Sequence, residues 1–117
     1  MPQIILELSD NVIEKDFSKA LAEIHQILTS GLPTTLASCK SRVIRYKDFL
    51  VGDGQVNNAF VHLSIGVLPG RNKETRDLVA HKIVKALEPY FSQSFAMLNL
   101  QITIAISELP EVFHKFP

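Results

Sequence analysis

The sequence predicts an α/β (α+β) fold in which two β-α-β units form a four-stranded sheet with two helices on one face. Four segments alternate apolar and polar residues with the period of a strand, and two segments repeat apolar residues at helical spacing. The two halves also match in the distance between their strands. A right-handed crossover in each unit would pair its two strands in parallel and place both helices on the same face of the sheet.

The first half of the chain predicts a strand, a helix and a second strand. Residues 2–8 alternate, and the proline at their start is tolerated at the first position of a strand. Asp16 is a candidate N-cap for the helix, and Gly31 is a candidate left-handed stop that Pro33 follows. The second strand is predicted at residues 40–47. The expected apolar face of the helix consists of Phe17, Ala20, Leu21, Ile24, Ile27 and Leu28.

The second half repeats the pattern after a turn at residues 52–54, which are Gly-Asp-Gly. A strand is predicted at residues 59–67, and Asn72 is a candidate N-cap for a helix that runs to about Phe91. The last strand, at residues 98–107, alternates strictly. The expected apolar face of the helix consists of Val79, Ile83, Leu87 and Tyr90.

Composition narrows the class of protein. The chain has 117 residues, the size of one domain, so residues 1–117 are predicted to be a single domain. Its 12 basic and 12 acidic residues cancel, which argues against a nucleic-acid partner and favours self-association. No apolar run is long enough for a membrane span, and no signal peptide is expected. A single cysteine fits a reducing compartment, so we expect a cytoplasmic protein.

A homo-oligomer is also expected from the sheet. Two helices cover one face only, and Ile5, Val43 and Ile44 suggest that the other face is partly apolar. The strict alternation of the last strand is unusual for a strand that faces water. Packing of sheets between copies of the chain would bury these side chains.

Most reactive side chains have a structural explanation. Cys39 has no obvious base near it in sequence and is expected to be a buried, inert thiol. Asp53 lies between two glycines and is expected to be a turn residue. The histidines lack metal-ligand spacing, so no metal site is predicted. They are His25, His62, His81 and His114.

Pro2 and a group of cations are the candidates for chemistry. Removal of Met1 would leave Pro2 with a secondary amine at the N-terminus, and an apolar, cationic site would keep that amine neutral enough to act as a base. Lys40 and Arg42 share a face of the second strand. Arg71 opens the second helix, where a guanidinium is well placed to bind a carboxylate.

Taken together, these segments resemble the 5-carboxymethyl-2-hydroxymuconate Δ-isomerase family of the tautomerase superfamily. The resemblance extends from Pro2 to about Glu108, and the Asp-Gly-Gln string followed by Ala-Phe-Val-His is its most specific part. The matching segments are Pro2, Ser9–Asn11, Lys40–Val43, Asp53–Gln55, Ala59–His62 and Gly70–Arg71.

The resemblance implies a tautomerase-like trimeric barrel without a metal or organic cofactor. It implies that Pro2 carries a proton between carbons of an unsaturated keto acid in aromatic-acid degradation. Lys40, Arg42 and Arg71 are then expected to bind the substrate, a small carboxylate. The family pattern has arginine where this chain has Lys40, and lysine lacks the two-pronged donor. A non-catalytic binding trimer and a tautomerase of a different 2-oxo acid remain alternatives.

Overall fold

The computed structural model describes residues 1–117. Its elements are, in order, β1 (Gln3–Ser9), α1 (Ser18–Gly31), β2 (Lys40–Tyr46), β3 (Asn58–Val67), α2 (Lys73–Leu87), α3 (Ser92–Met97) and β4 (Asn99–Glu108), with short 3-10 helices at Leu36–Ser38 and Glu88–Phe91. All four predicted strands and both predicted long helices are present. The predicted fold class is therefore confirmed.

The sheet has the strand order β2-β1-β3-β4. The strands of each β-α-β unit are parallel, as predicted, and the two units meet through the antiparallel pair of β1 and β3. Gln3 lies opposite both Lys40 and Gly66, and Gly66 lies opposite Ser107. As a result, the N-terminal ends of β1 and β2 lie at the same end of the sheet as the C-terminal ends of β3 and β4.

One apolar layer joins the sheet to the helices. Alternate residues of β1 and β3 are almost fully buried, and α1 and α2 contribute the apolar faces that the sequence predicts. The cluster includes Ile4, Leu6, Leu8, Ile24, Leu28, Val61, Leu63, Ile65, Val79, Ile83 and Leu87. Burial of this apolar surface is the main stabilising contribution to the fold.

Gly31 does not have the predicted left-handed conformation. It is the last residue of α1, and the glycines with positive φ are Gly52, Gly54 and Gly70. The reason for glycine at position 31 is close packing between helices. A Cβ atom there would lie 2.6 Å from Cγ2 of Val79 in α2.

The prediction of Asp16 as the N-cap of the first helix is also off by one residue. Phe17 occupies the N-cap position, and no side chain caps it. Asp16 instead accepts hydrogen bonds from the backbone N–H and the hydroxyl of Ser18. Asn72 does cap α2, because its side-chain oxygen accepts from the backbone N–H of Thr75 at 2.8 Å.

The second helix is also shorter than predicted. α2 ends at Leu87, and the chain then passes through a 3-10 turn into α3. Pro89 lies in that 3-10 turn, and proline removes a backbone donor and disfavours a continuing α-helix. The turn and α3 bring Ser94 to Glu14, whose carboxylate accepts from the backbone N–H groups of Gln93 and Ser94.

The face of the sheet away from the helices is more polar than expected. Ile5 and Ile44 lie on it, but Val43 is on the helix side. The polar residues on the face away from the helices include Gln3, Glu7, Lys40, Arg42, His62, Ser64, Gln101, Thr103 and Ser107. On the helix side, Ile102, Ile104 and Ile106 of the edge strand β4 are only half-buried. None of the helices combines the length and apolar composition that crossing a lipid bilayer requires.

Candidate active site

Pro2 lies at the end of the sheet where β1 begins, and four segments of the chain meet there. The residue is buried, and its carbonyl accepts a hydrogen bond from the backbone N–H of Lys40 at 3.2 Å. A pocket of about 30 Å³ opens beside it, room for about one water molecule. The pocket is lined by Met1, Pro2, Leu32, Pro33, Thr34, Val67, Leu68 and Arg71.

Arg71 forms the polar wall of this pocket. Gly70 turns the chain with a φ of 116°, a conformation that strongly favours glycine, and Asn72 then starts α2. One terminal nitrogen of Arg71 donates to the carbonyl oxygen of Pro33 at 3.2 Å. Nε of Arg71 is buried and has no hydrogen-bond partner. One donor of the guanidinium is therefore unsatisfied within the fold.

The electrostatics of the pocket act on the N-terminal amine. Burial lowers the pKa of the Met1 amine below its ordinary value, because it disfavours the charged form. The positive charges of Arg71, Lys40 and Lys115 lower that pKa further, whereas Cys39 acts in the opposite direction. The Met1 amine is therefore shifted towards its neutral form.

Cys39 lies close to the same amine and is buried. Its thiol lies 3.6 Å from the carbonyl oxygen of Thr35. Burial raises the pKa of the Cys39 thiol above its ordinary value, although the N-terminal charge and Lys40 oppose this shift. A protonated thiol is a poor nucleophile, which agrees with the expectation of an inert cysteine.

The predicted cations are distributed unequally around Pro2. Arg71 lines the pocket, and Lys40 lies near enough to act on the amine. Arg42 lies two register pairs beyond Lys40, opposite Ile5, and donates from Nη1 to the side chain of Gln3 at 2.7 Å. The structure thus brings Lys40 and Arg71 to Pro2 and leaves Arg42 on the open face of the sheet. A substrate-binding role for Arg42 stays a prediction.

The other reactive side chains lie apart from this pocket. Asp53 lies in the turn between two glycines of positive φ and accepts from the side chain of Asn58 at 2.9 Å. Three histidines bond to neighbours elsewhere: His25 to Ser41, His62 to Thr103 and His81 to Asp77. No group of three His, Cys, Asp or Glu side chains is placed to hold a metal ion.

The sequence alone did not single out Lys115 or the carbonyl of Pro33. Lys115 follows Pro110 in a segment without regular structure, so no periodic pattern predicts its position. The position of this segment depends on the strand order of the sheet. Once β4 is known to lie beside β3, the residues that follow it leave the sheet at the edge where Pro2 begins.

Sequence comparisons with known proteins point to one family. A family model described as 5-carboxymethyl-2-hydroxymuconate isomerase matches residues 2–115. The chain is 28% identical over 110 residues to the 5-carboxymethyl-2-hydroxymuconate Delta-isomerase of Escherichia coli, covering 93% of this chain and 87% of the relative.

Two solved structures show the same fold. A 5-carboxymethyl-2-hydroxymuconate isomerase from Deinococcus radiodurans R1 is 24% identical, with a TM-score of 0.87 over 99% of this chain and 88% of that chain. A fused 4-OT symmetric trimer is 12% identical, with a TM-score of 0.69 over 97% of this chain and 90% of that chain. The family match spans nearly the whole sequence and includes Pro2 and Arg71. The chain is an isomerase and belongs to the 5-carboxymethyl-2-hydroxymuconate isomerase family.

Proposed function

We propose that this protein shifts a proton within a small unsaturated keto or enol acid similar to 5-carboxymethyl-2-hydroxymuconate, with Pro2 as the base. The observation that carries the proposal is the pocket where the buried Pro2 meets the guanidinium of Arg71. Burial and nearby cations lower the pKa of the Met1 amine in this pocket, and the same environment would favour the neutral form of a Pro2 amine. The name of the Escherichia coli relative supports the substrate class. Such a substrate places the enzyme in aromatic-acid degradation.

Before any turnover, an aminopeptidase hydrolyses the Met1–Pro2 peptide bond, which converts the amide nitrogen of Pro2 into a secondary amine. In its neutral form, this amine takes a proton from the hydroxyl of an enol substrate, or from a carbon next to the carbonyl of a keto substrate. The O–H or C–H bond breaks, an N–H bond forms, and either route leaves the same conjugated dienolate, with its negative charge mainly on oxygen. Protonated Pro2 then returns the proton to another carbon of the conjugated system. The amine is regenerated, so the chain's own groups complete the cycle.

Arg71 and Lys40 stabilise the intermediate in this mechanism. The dienolate carries more negative charge on oxygen than the substrate does, and fixed cations at that position lower the barrier. The guanidinium of Arg71 lines the pocket and would bind a substrate carboxylate, which would fix the reacting carbon near Pro2. Positioning and electrostatics supply most of the rate enhancement.

Lys40 differs from the arginine of the family pattern. Lysine keeps the positive charge, but it offers a point charge where arginine offers a planar pair of donors. Lys40 lies in an exposed position at the start of β2. We propose that it contributes charge to the site, and that binding of the carboxylate by paired hydrogen bonds falls to Arg71.

We also propose that the protein is a homotrimer in the cytoplasm. The symmetric trimer of the fused 4-OT relative supports the assembly. The half-buried isoleucines of β4, an edge strand, are apolar surface that a neighbouring subunit would cover. A single buried cysteine without a disulfide is consistent with a reducing compartment.

An ultraviolet assay of enol–keto conversion tests the function. The purified enzyme is given 5-carboxymethyl-2-hydroxymuconate and, separately, an aryl 2-oxo acid, with Pro2→Ala as the control. The proposal predicts the higher kcat/KM for the muconate and a loss of activity in the control. Preference for the aryl acid would instead favour a tautomerase of a different 2-oxo acid. Binding without turnover of either compound would favour a non-catalytic trimer.

A further inference from the structure

The turn between β3 and α2 presents Arg71 to the candidate active site. Val67, Leu68 and Arg71 all line the pocket beside Pro2, so this turn forms one wall of the pocket. Gly70, the residue directly before Arg71, has a φ of 116°. The direction in which the guanidinium points therefore depends on how the backbone of this turn is held.

The turn has few hydrogen bonds of its own. Residues 68–71 form no backbone–backbone hydrogen bond. One terminal nitrogen of Arg71 donates to the carbonyl oxygen of Pro33 at 3.2 Å. The backbone N–H of Gly70 donates to the carboxylate of Glu108 at 3.3 Å. The bond to Glu108 is thus the contact that holds the backbone of the turn without occupying the guanidinium.

The end of β4 places Glu108 beside this turn. Glu108 is the last residue of β4 and lies opposite Val67 in the register of β3 and β4. The next residue, Leu109, donates from its backbone N–H to the carbonyl of Val67 at 2.7 Å. The side chain of Leu109 packs over Gly66, where a Cβ atom would lie 2.7 Å from Leu109 Cδ2. These contacts fix residue 108, so its carboxylate reaches the Gly70 N–H from a well-held strand end.

The carboxylate of Glu108 bonds to the backbone and not to the nearby arginine. A carboxylate that accepts from a backbone N–H forms a charge-assisted hydrogen bond, which is stronger than a bond between neutral groups. Arg71 forms no salt bridge with Glu108 or with any other acid. The positive charge of the guanidinium therefore remains unpaired within the chain, while the turn that carries it is held.

We propose that Glu108 is a positioning residue, which holds the turn before α2 so that Arg71 faces the pocket beside Pro2. Without Glu108, the N–H of Gly70 loses its partner in the chain, and glycine leaves the backbone free to adopt many conformations. The guanidinium would then be ordered only when substrate binds, which weakens binding. The inference rests on the proposed function for the role of Arg71 in binding a carboxylate.

Two neutral replacements of Glu108 separate its hydrogen bond from its charge. Glu108→Gln and Glu108→Ala both remove the negative charge, but only glutamine keeps a side-chain oxygen that can accept from Gly70. The protein lacking Met1 is titrated calorimetrically with glutarate, an unreactive dicarboxylate. The Kd of Glu108→Ala is expected to be about fivefold higher than that of Glu108→Gln, the net effect of one hydrogen bond. Equal Kd values for the two variants would overturn the inference.

Steady-state kinetics distinguish positioning of Arg71 from a general structural effect. With an acidic enol substrate, Glu108→Ala is expected to have a KM about fivefold above that of Glu108→Gln, with a similar kcat. In an Arg71→Ala background, the same two replacements are expected to have equal KM values, because no guanidinium remains to be oriented. The same difference in KM in both backgrounds would show that Glu108 does not act through Arg71.

Glu111→Ala is the matched control. Glu111 is an exposed acid in the same C-terminal segment, lies outside any helix or strand and forms no salt bridge. Its replacement is expected to leave the Kd for glutarate near the parent value, and a loss as large as that in Glu108→Ala would contradict a specific role for Glu108. These outcomes are separate from the proposed function, which fails if the proline-dependent isomerase activity is absent.

Discussion

Arg71 and Pro33 are joined by a hydrogen bond of 3.2 Å between a guanidinium nitrogen and a carbonyl oxygen. Pro33 follows the end of α1 and Arg71 precedes the start of α2, so this bond ties the two helices together at the pocket beside Pro2. It also fixes the orientation of the guanidinium while Nε remains without a partner. This arrangement supports the proposed role of Arg71 in binding a carboxylate.

Loss of the Arg71 side chain is expected to weaken substrate binding. Arg71→Ala removes a charge-assisted contact of about 1–3 kcal/mol, which should appear mainly as a higher KM for acidic substrates. The KM of Arg71→Lys should lie between those of Arg71→Ala and the parent protein, because lysine keeps the charge without the planar donor pair. Steady-state kinetics on the enol–keto assay measure both effects.

Arg76→Ala serves as the control for this experiment. Arg76 is a second partly buried arginine, whose Nε also lacks a partner, but it lines a groove between α2 and β4 instead of the pocket. Its replacement should leave KM near the parent value. If Arg71→Ala and the parent have the same kinetics, Arg71 does not bind the carboxylate.

Lys40→Arg is expected to preserve or improve activity towards a substrate of the family type. The substitution restores the arginine of the family pattern and keeps the charge that acts on the N-terminal amine. Lys40→Ala should reduce kcat, because less positive charge faces the developing enolate. A comparison of kcat for the three proteins measures this, and full activity in Lys40→Ala would exclude Lys40 from the mechanism.

The local patterns of the sequence were sufficient to predict the strands, the long helices and the parallel pairing within each half. They did not predict that β1 and β3 lie side by side and antiparallel, because that pairing joins the two halves and has no local signal. The assignment of Gly31 failed for a similar reason. Its contact is with Val79, on a different helix, so only the assembled fold reveals it.

The site was predictable to the extent that its residues lie in recognisable segments. Pro2, Lys40 and Arg71 stand at the ends of predicted elements, and the parallel pairing of β1 and β2 places Pro2 beside Lys40. Lys115 and Pro33 belong to segments without periodicity. Their proximity to Pro2 and Arg71 depends on the sheet order and on the packing of α1 against α2.

The half-buried isoleucines of β4 offer a test of the proposed trimer. The parent protein is expected to have three times the 13.1 kDa mass of the chain by light scattering. Ile104→Asp places a charge in the groove between β4 and α2 and is expected to yield a monomer, since burying an unpaired charge is costly. A monomeric parent at micromolar concentration, or a trimeric Ile104→Asp, would contradict this assembly.

The carboxylate of Glu14 is expected to make the free energy of unfolding depend on pH. Burial alone would raise the pKa of Glu14, but hydrogen bonds from Ser94 and Gln93 bring it below its ordinary value. A carboxyl whose pKa is lowered by folding stabilises the protein above its unfolded pKa, and this contribution is lost as the pH falls through the folded value. Glu14→Gln should lower the free energy of unfolding at neutral pH by about 1–2 kcal/mol.

Urea denaturation at neutral and acidic pH measures this contribution. The difference between parent and Glu14→Gln should shrink on acidification, because the parent then loses the same carboxylate. Asp48→Asn is a control at an exposed carboxylate outside any helix or strand. A difference that stays constant with pH would mean that the ionised form of Glu14 contributes nothing.

The proposed catalytic base is the amine of Pro2, which removal of Met1 sets free. A nitrogen that is acylated by Met1 belongs to an amide and has no basic lone pair. The most direct measurement pairs intact-protein mass spectrometry with the enol–keto assay, on preparations that retain or lack Met1. Activity is expected only without Met1. It should rise with pH as the Pro2 amine loses its proton, at a pH below that expected for an exposed secondary amine. Full activity in a preparation shown to retain Met1 would contradict this expectation.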